Sequence, residues 1–286
     1  LLSTSLMRLE GPYAEMEAHL LRNFRKYAHG GVVDGNSVWH WLALAQHHGL
    51  PTRLLDWTFS PFVAMHFATS NPQKLKSDGV IWAVAYEHVH GHLPAPLAQE
   101  LHDEGSSVFT VDMLAKHAQS LQEFSELDEE PFLLFLEPPA MDERIVNQYA
   151  LFSCPSTAQL NLSDYLRDRP EFYRKIIIPA ELKWEIRDKF DQANITEPVL
   201  FPGLDGLSRW LARSYTSDAS GLPSCATVKK SSKCCLGKHL FYTNRRGIKG
   251  LAAKLVGKDS QKTSREYLGR PKWNSLNELL SVTDSF

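Results

Sequence analysis

The sequence predicts an α+β domain over residues 1–216 followed by a basic tail over 217–286. Three observations carry that expectation. Short apolar runs rich in β-branched and aromatic residues, VIWAVAY (80–86), FLLFLE (132–137) and RKIIIP (174–179), have the length and bounding turns of strands. Between them lie stretches whose apolar residues recur three and four apart, the spacing of one helix face, and the two kinds of segment do not alternate as βαβ units would. Finally, charge breaks near residue 216: residues 1–216 hold 18 Lys+Arg against 28 Asp+Glu, and 217–286 hold 13 against 5, an asymmetry hidden in the whole-chain net charge of -2.

In chain order, Pro12 opens a helix with Met16, Leu20, Leu21, Phe24 and Tyr27 on one face, and His29-Gly30-Gly31 closes it. A second helix spans Ser37 to His48, with Gly49 as a left-handed stop and Pro51 barring continuation. PTRLLDWT (51–58) reads as a loop. Ser60-Pro61 then signals a helix start, the hydroxyl capping free amides and proline fitting the first position, so Ser60 to Ala68 is expected helical with Phe62, Val63 and Phe67 on its apolar face. After the strand at 80–86, the acidic stretch Glu123 to Glu130 is expected to be a loop before the strand at 132–137. RIVNQYALFS (144–153) suggests a short helix or turn entering a strand, and RKIIIP a buried strand ended by Pro179. Leu182, Ile186 and Phe190 place a helix over 181–192, and a last one fits 206–215 behind FPGLDG.

At 286 residues the chain exceeds the roughly 100–200 of one domain, so a large domain with an appendage is affordable. With 43% hydrophobic and 22% charged residues it reads as globular. No stretch approaches the roughly 20 apolar residues of a membrane span. The start LLSTSLMRLEGPY has neither a basic apolar leader nor an initiator Met, which suggests a fragment of an intracellular protein. Four cysteines, at 154, 225, 234 and 235, form no paired pattern and fit a reducing, cytoplasmic setting. Cys225, Cys234 and Cys235 supply half a zinc site, but no second ligand pair stands at finger spacing, so no metal is expected.

From SDASGLPS onward the tail is rich in Ser, Gly and Lys and too poor in periodic apolar residues to offset its ordering entropy, so it is expected to be flexible. KKSSK and NRRGIKGLAAKLVGK could contact nucleic acid or an anionic membrane by counterion release; a merely solvated tail is the alternative.

The dinucleotide fingerprint, the P-loop, the hydrolase elbow and the zincin helix are all absent. What stands out is AQHHGLPTRLLDWTFSPFVAMHFA (45–68), a crowd of polar and ionisable residues between two helices. Arg53 offers a planar fork for a phosphate or carboxylate, and Asp56 could orient it or accept a ribose hydroxyl. Trp57 could stack on a ring, while Thr58, Ser60 and the free amides of the following helix suit an anion. A purely architectural alternative makes Arg53 and Asp56 an internal salt bridge, Ser60 a cap and Trp57 core.

The segment QHHGLPTRLLDWTFSPFVAMHFA (46–68) resembles the signature of the FRG domain, a family named for a Phe-Arg-Gly triplet near its N-terminal edge. RIVNQYALF (144–152) is similar to its second block and VLFPGLDGLSRWL (199–211) to its closing block, so the resemblance covers residues 1–215 and leaves the tail without a counterpart. The triplet is not in this sequence; STSLMRLE (3–10) resembles the family's stretch just after the triplet, which places its Arg upstream of residue 1. FRG domains resemble the ADP-ribosyltransferase fold, so the resemblance implies a mixed, split sheet with flanking helices holding NAD in a cleft. In transferases of that fold a Ser/Thr segment lines the pocket and a late Glu activates the acceptor. Thr58 and Ser60, followed by Ala64, Phe67 and Ala68, match the first, and Gln148 takes the position of the second. Gln148 cannot act as a carboxylate base, although it can hydrogen-bond a ribose or amide.

Two functions arise as expectations. One is transfer of ADP-ribose from NAD to a macromolecular acceptor or water, with Arg53, Ser60 and Gln148 at the reaction and Arg53, Asp56, Trp57, Thr58 and Ser60 on the NAD. The other is a silent nucleotide-sensing or interaction module. Elsewhere, His88, His90 and His92 would share one face of an extended segment and could hold a metal, or form a solvated edge. His47 and His48 complement a helix C-terminus. Glu137, Asp142 and Glu143 could bring a carboxylate near Gln148.

Overall fold

The computed structural model describes residues 2–28, 37–215 and 279–282. By backbone contacts the chain divides into a unit of Leu1–Leu211 with Asn277–Phe286 and a unit of Ala212–Leu276; of the second, only residues 212–215 are described. The first unit is a mixed α+β body. After a 3-10 turn at Leu6–Leu9 come α1 (Tyr13–Tyr27), α2 (Val38–His47), β1 (Leu55–Thr58), α3 (Pro61–Ser70), β2 (Gly79–Val84), α4 (Tyr86–His90), α5 (Ala95–Asp103) and β3 (Phe109–Thr110). They are followed by α6 (Val111–His117), α7 (Leu121–Ser125), β4 (Leu133–Glu137), α8 (Glu143–Asn147), β5 (Ala150–Pro155), α9 (Leu162–Arg167), β6 (Tyr173–Ile178), α10 (Lys183–Gln192), α11 (Glu197–Leu200) and α12 (Leu204–Ser214). Leu279–Val282 forms β7.

Among the described residues the strands make one seven-stranded sheet in the order β3-β4-β5-β1-β7-β2-β6. Every described pairing is antiparallel except β3 with β4. β4 shows why FLLFL reads as an unbroken apolar run. Leu134 and Leu136 face one core with Trp39, Leu42, Phe109 and Phe152, whereas Leu133 and Phe135 face another with Trp57, Trp82, Leu151 and Phe172. A strand covered on both faces has no polar side to alternate, and each such side chain contributes roughly 1.5–3 kcal/mol on burial.

Several expectations are corrected. PTRLLDWT is not all loop: its last four residues are β1, an inner strand, with Asp56 opposite Phe152 and Thr58 opposite Ala150. Strand pairing with a partner some ninety residues on has no local periodicity to betray it. β6 is not buried, because it lies at the sheet edge and Arg174 to Ile177 are exposed. Leu279–Val282, expected within the flexible tail, pairs with both β1 and β2; the remaining tail residues expected to be basic and flexible, with Cys225, Cys234 and Cys235, lie outside the described residues. The first part of the acidic stretch is helical, α7 being capped by Ser120. Of the stripe expected on α1, Tyr27 is 74% exposed, and the deeply buried residues are Leu21 and Glu17.

The three histidines do not share a strand face. His88 and His90 lie on α4, whose helical twist separates them. His90 is buried, and its ring is a latch: Nδ1 donates to the Ser107 carbonyl at 3.0 Å while Nε2 accepts the Phe135 N–H at 2.9 Å. That arrangement needs the neutral imidazole, and burial lowers the His90 pKa to about 4. Among the described residues no group of three or more His, Cys, Asp or Glu could hold a metal, and no helix is long and apolar enough to cross a membrane. Cys154 is buried, which raises its thiol to about 12.

The elements beside β1 are locked by buried polar contacts. Arg187 on α10 donates from Nη1 to His66 Nδ1 on α3 at 2.9 Å and pairs with Glu197 on α11. At α8, Asn147 and Gln148 donate their side-chain amides to the Val199 and Leu200 carbonyls, both at 2.8 Å. The start of α12 then approaches so closely that a Cβ at Gly206 would stand 2.0 Å from the Phe201 carbonyl oxygen, so only glycine fits there.

Candidate functional site

The polar residues of the 45–68 segment separate into two groups. Arg53 turns inward. Its backbone N–H and Nε donate to the two carboxylate oxygens of Glu17, each at 2.7 Å, and Nη1 donates to the Ser156 carbonyl at 2.8 Å. Arg53 and Glu17 are 2% and 1% exposed, so this guanidinium ties α1 to the strands rather than facing solvent. The internal salt bridge weighed for Arg53 therefore exists with Glu17, not with Asp56. Trp57 also turns inward: its Nε1 donates to Ser153 Oγ at 2.8 Å, and its ring meets Phe135 edge-on at 5.5 Å within the core.

Thr58, Ser60 and Gln148 meet at the end of β1. Thr58 Oγ1 donates to the Gln148 carbonyl at 2.7 Å and accepts the Ser60 N–H at 3.0 Å, and Ser60 caps α3 by accepting the Val63 N–H. Gln148 is buried, its amide held on Leu200. These three fix how α3, α8 and α11 leave the sheet, so the structure brings them together as a joint.

Asp56 points the other way, onto the sheet face that the end of α2 approaches. It accepts a hydrogen bond from Gln46 Nε2 at 3.2 Å, and Gln46 in turn accepts from Thr52 Oγ1 at 2.7 Å. Solvent reaches Asp56, yet protein crowds it: desolvation raises its carboxyl above the ordinary range, against the Gln46 hydrogen bond and the fields of Arg144 and His47. The recess is this exposed, crowded neighbourhood of Asp56 and Gln46. Its neighbours come from α2 and α8. His47 Nε2 meets Asp142 Oδ2 at 2.7 Å, joining the end of α2 to the start of α8, where Asp142 also caps the helix through the Ile145 N–H. Burial alone would raise the Asp142 carboxyl, but the Ile145 and His47 hydrogen bonds outweigh it and hold it below its usual value.

Arg144, one turn into α8, lies over the Phe201 ring at 5.1 Å. Phe201 also receives Arg209 of α12, at 4.9 Å, and meets Phe67 of α3 edge-on at 5.8 Å. α8 thus reaches both places, through Asp142 on His47 and through Arg144 on Phe201. Chemically the set offers an acceptor for ribose or amide groups at Asp56, an amide at Gln46, an imidazole oriented by a carboxylate at His47, and guanidinium charge.

Sequence reasoning puts Gln46 and His47 inside the motif and Asp142 near Gln148 without joining them. The i to i+2 distance from Asp142 to Arg144 and the FPG turn are weak signals, and nothing local pairs Phe201 with two arginines. Glu17 has a detectable signal: a carboxylate in the middle of an otherwise apolar helix stripe.

Neither the curated proteins nor the solved structures yield a match to this chain. RIVNQYALF and VLFPGLDGLSRWL fall outside the residues that the family model matches. Residues 1–77, which carry α1, α2, β1 and α3 and with them Arg53, Asp56, Trp57, Thr58 and Ser60, match the family model of the FRG domain.

Proposed function

We propose that this domain binds a nucleotide of the NAD class in the recess around Asp56. The observation that carries the reading is the solvent-reached, desolvated carboxyl of Asp56, backed by Gln46 and facing the charges of Arg144 and His47. An exposed carboxyl with a raised pKa beside amide, imidazole and guanidinium groups suits hydroxyl recognition, and the ribose diol supplies two hydroxyls. Arg53 and Trp57 then serve the frame, and Thr58, Ser60 and Gln148 hold the joint beside the recess.

Transfer of ADP-ribose from NAD to a macromolecular acceptor or water is the second reading. It is favoured by Asp56 itself, a carboxylate able to hold a ribose hydroxyl where Gln148 offers only an amide. An ADP-ribosyltransferase-like sheet and a basic tail contacting anionic partners belong to the same proposal. The test is calorimetric titration of the full chain with NAD, alongside Asp56→Ala and Arg53→Ala and with folding checked by circular dichroism. Binding lost in folded Asp56→Ala supports the recess; binding by that variant at full strength overturns it. Nicotinamide release by the wild type, abolished in Asp56→Asn, would advance the transferase reading, and bound NAD left intact would reduce the domain to a sensor.

A further inference from the structure

Two permanent cations converge on one aromatic ring. Arg144 of α8 and Arg209 of α12 stand 5.1 Å and 4.9 Å from the Phe201 centroid, so their centres are no farther apart than those two lengths laid end to end. Each contact alone is attractive, because the ring face carries the negative lobe of its quadrupole. Both cations thus stand on one ring, and among the described residues neither guanidinium forms an ion pair with a carboxylate. Protein cations held this way without an internal anion are arranged for an external one.

The platform is rigid. The Phe201 N–H bonds to the Glu197 carbonyl at 2.8 Å, its ring rests on Phe67, and α12 is seated against its carbonyl through Gly206. Arg144 is half-buried and Arg209 exposed, so both can reach a ligand. Arg144 stands two residues from Asp142, whose carboxylate meets His47, the neighbour in sequence of the Gln46 that hydrogen-bonds Asp56, so α8 connects the platform to the recess.

We propose that Arg144 and Arg209, stacked on Phe201, clamp the pyrophosphate of a nucleotide whose ribose lies at Asp56. The clamp rests on the nucleotide reading of the recess and extends it to the phosphates. It gives the phosphate role to Arg144 and Arg209, where the sequence points to Arg53.

Full-length chain is titrated with ADP-ribose, with inorganic pyrophosphate and with adenosine, for wild type, Arg144→Gln, Arg209→Gln, the double variant and Arg209→Lys. The expected result is a loss of at least tenfold in ADP-ribose and pyrophosphate affinity in each Gln variant, partial recovery in Arg209→Lys, and unchanged adenosine binding. ADP-ribose affinity that is equal in wild type and the double variant, but lost in Asp56→Ala, overturns the clamp and leaves the recess reading standing. Arginine-dependent pyrophosphate binding with no added affinity for ADP-ribose overturns the nucleotide clamp and reduces the pair to an inorganic-anion site. Absence of binding by all three probes overturns both. Should Arg144→Gln fail to fold, Arg209→Gln decides alone, since that side chain is exposed.

Discussion

Arg53 and Asp56 are separated by two residues, carry opposite charge and end in opposite surroundings. Arg53 is enclosed with Glu17 in a dry interior, every contact supplied by the protein. Asp56 sits where water enters, with one described hydrogen bond from Gln46 and an elevated carboxyl pKa. The first arrangement ties a helix to the sheet in the interior, and the second holds a carboxyl where solvent reaches it. A polar motif therefore need not act as one unit: its frame-building members are those buried in the interior, as Arg53 is.

The contrast breaks most directly at Glu17. Removing one partner of a buried pair strands the other charge in a poorly solvated place, at a cost of about 3–5 kcal/mol. Glu17→Ala should lower the unfolding free energy in urea by that much, and a loss no larger than that of an exposed substitution would remove the distinction between the two groups. His90 sharpens it through pH. Its folded pKa of about 4 lies below the ordinary value of 6.5, so its contribution is complete above pH 6.5 and is lost as pH falls through 4. The difference corresponds to about 3 kcal/mol. Unfolding measured from pH 7.5 to 4 should lose about that much stability in the wild type beyond what His90→Asn loses over the same range; parallel curves would show that His90 titrates normally. The smallest effect belongs to Asp56. Its raised pKa means that the folded state holds a proton more readily than the unfolded chain, so the ionised group opposes folding as pH rises. Asp56→Asn keeps an acceptor for Gln46 and sheds that charge, so stability at pH 7 should change by about 0.5 kcal/mol or less, with any change upward. A marked destabilisation would move Asp56 into the frame with Arg53.

Helices are the legible part of the fold. The Ser37 and Ser60 caps, the Gly49 stop and the spacing of Ile186 and Phe190 each act within a turn or two of chain, and α2, α3 and α10 agree with them within a few residues. β2, β4 and β5 are legible as apolar runs. β1 is not, since LDWT has a polar residue at every second place and becomes a strand only by pairing with β5 and β7. The candidate site divides in the same way. Asp56 can be picked out by type and position, whereas the burial of Arg53 and Trp57 and the meeting of Gln46, His47, Asp142 and Arg144 depend on which surfaces close over which side chains.

By itself the sequence determined the α+β class, most helix boundaries, the apolar strands and the segment around which the polar residues gather, because hydrogen bonds within a helix and the burial of an apolar run are set by neighbours. Only the tertiary structure decided that Arg53 belongs to Glu17, that β6 is an edge, that Leu279–Val282 enters the sheet and that Arg144 and Arg209 share Phe201. Those outcomes join residues far apart in the chain, and a contact of that kind has no energy until the whole body has closed around it.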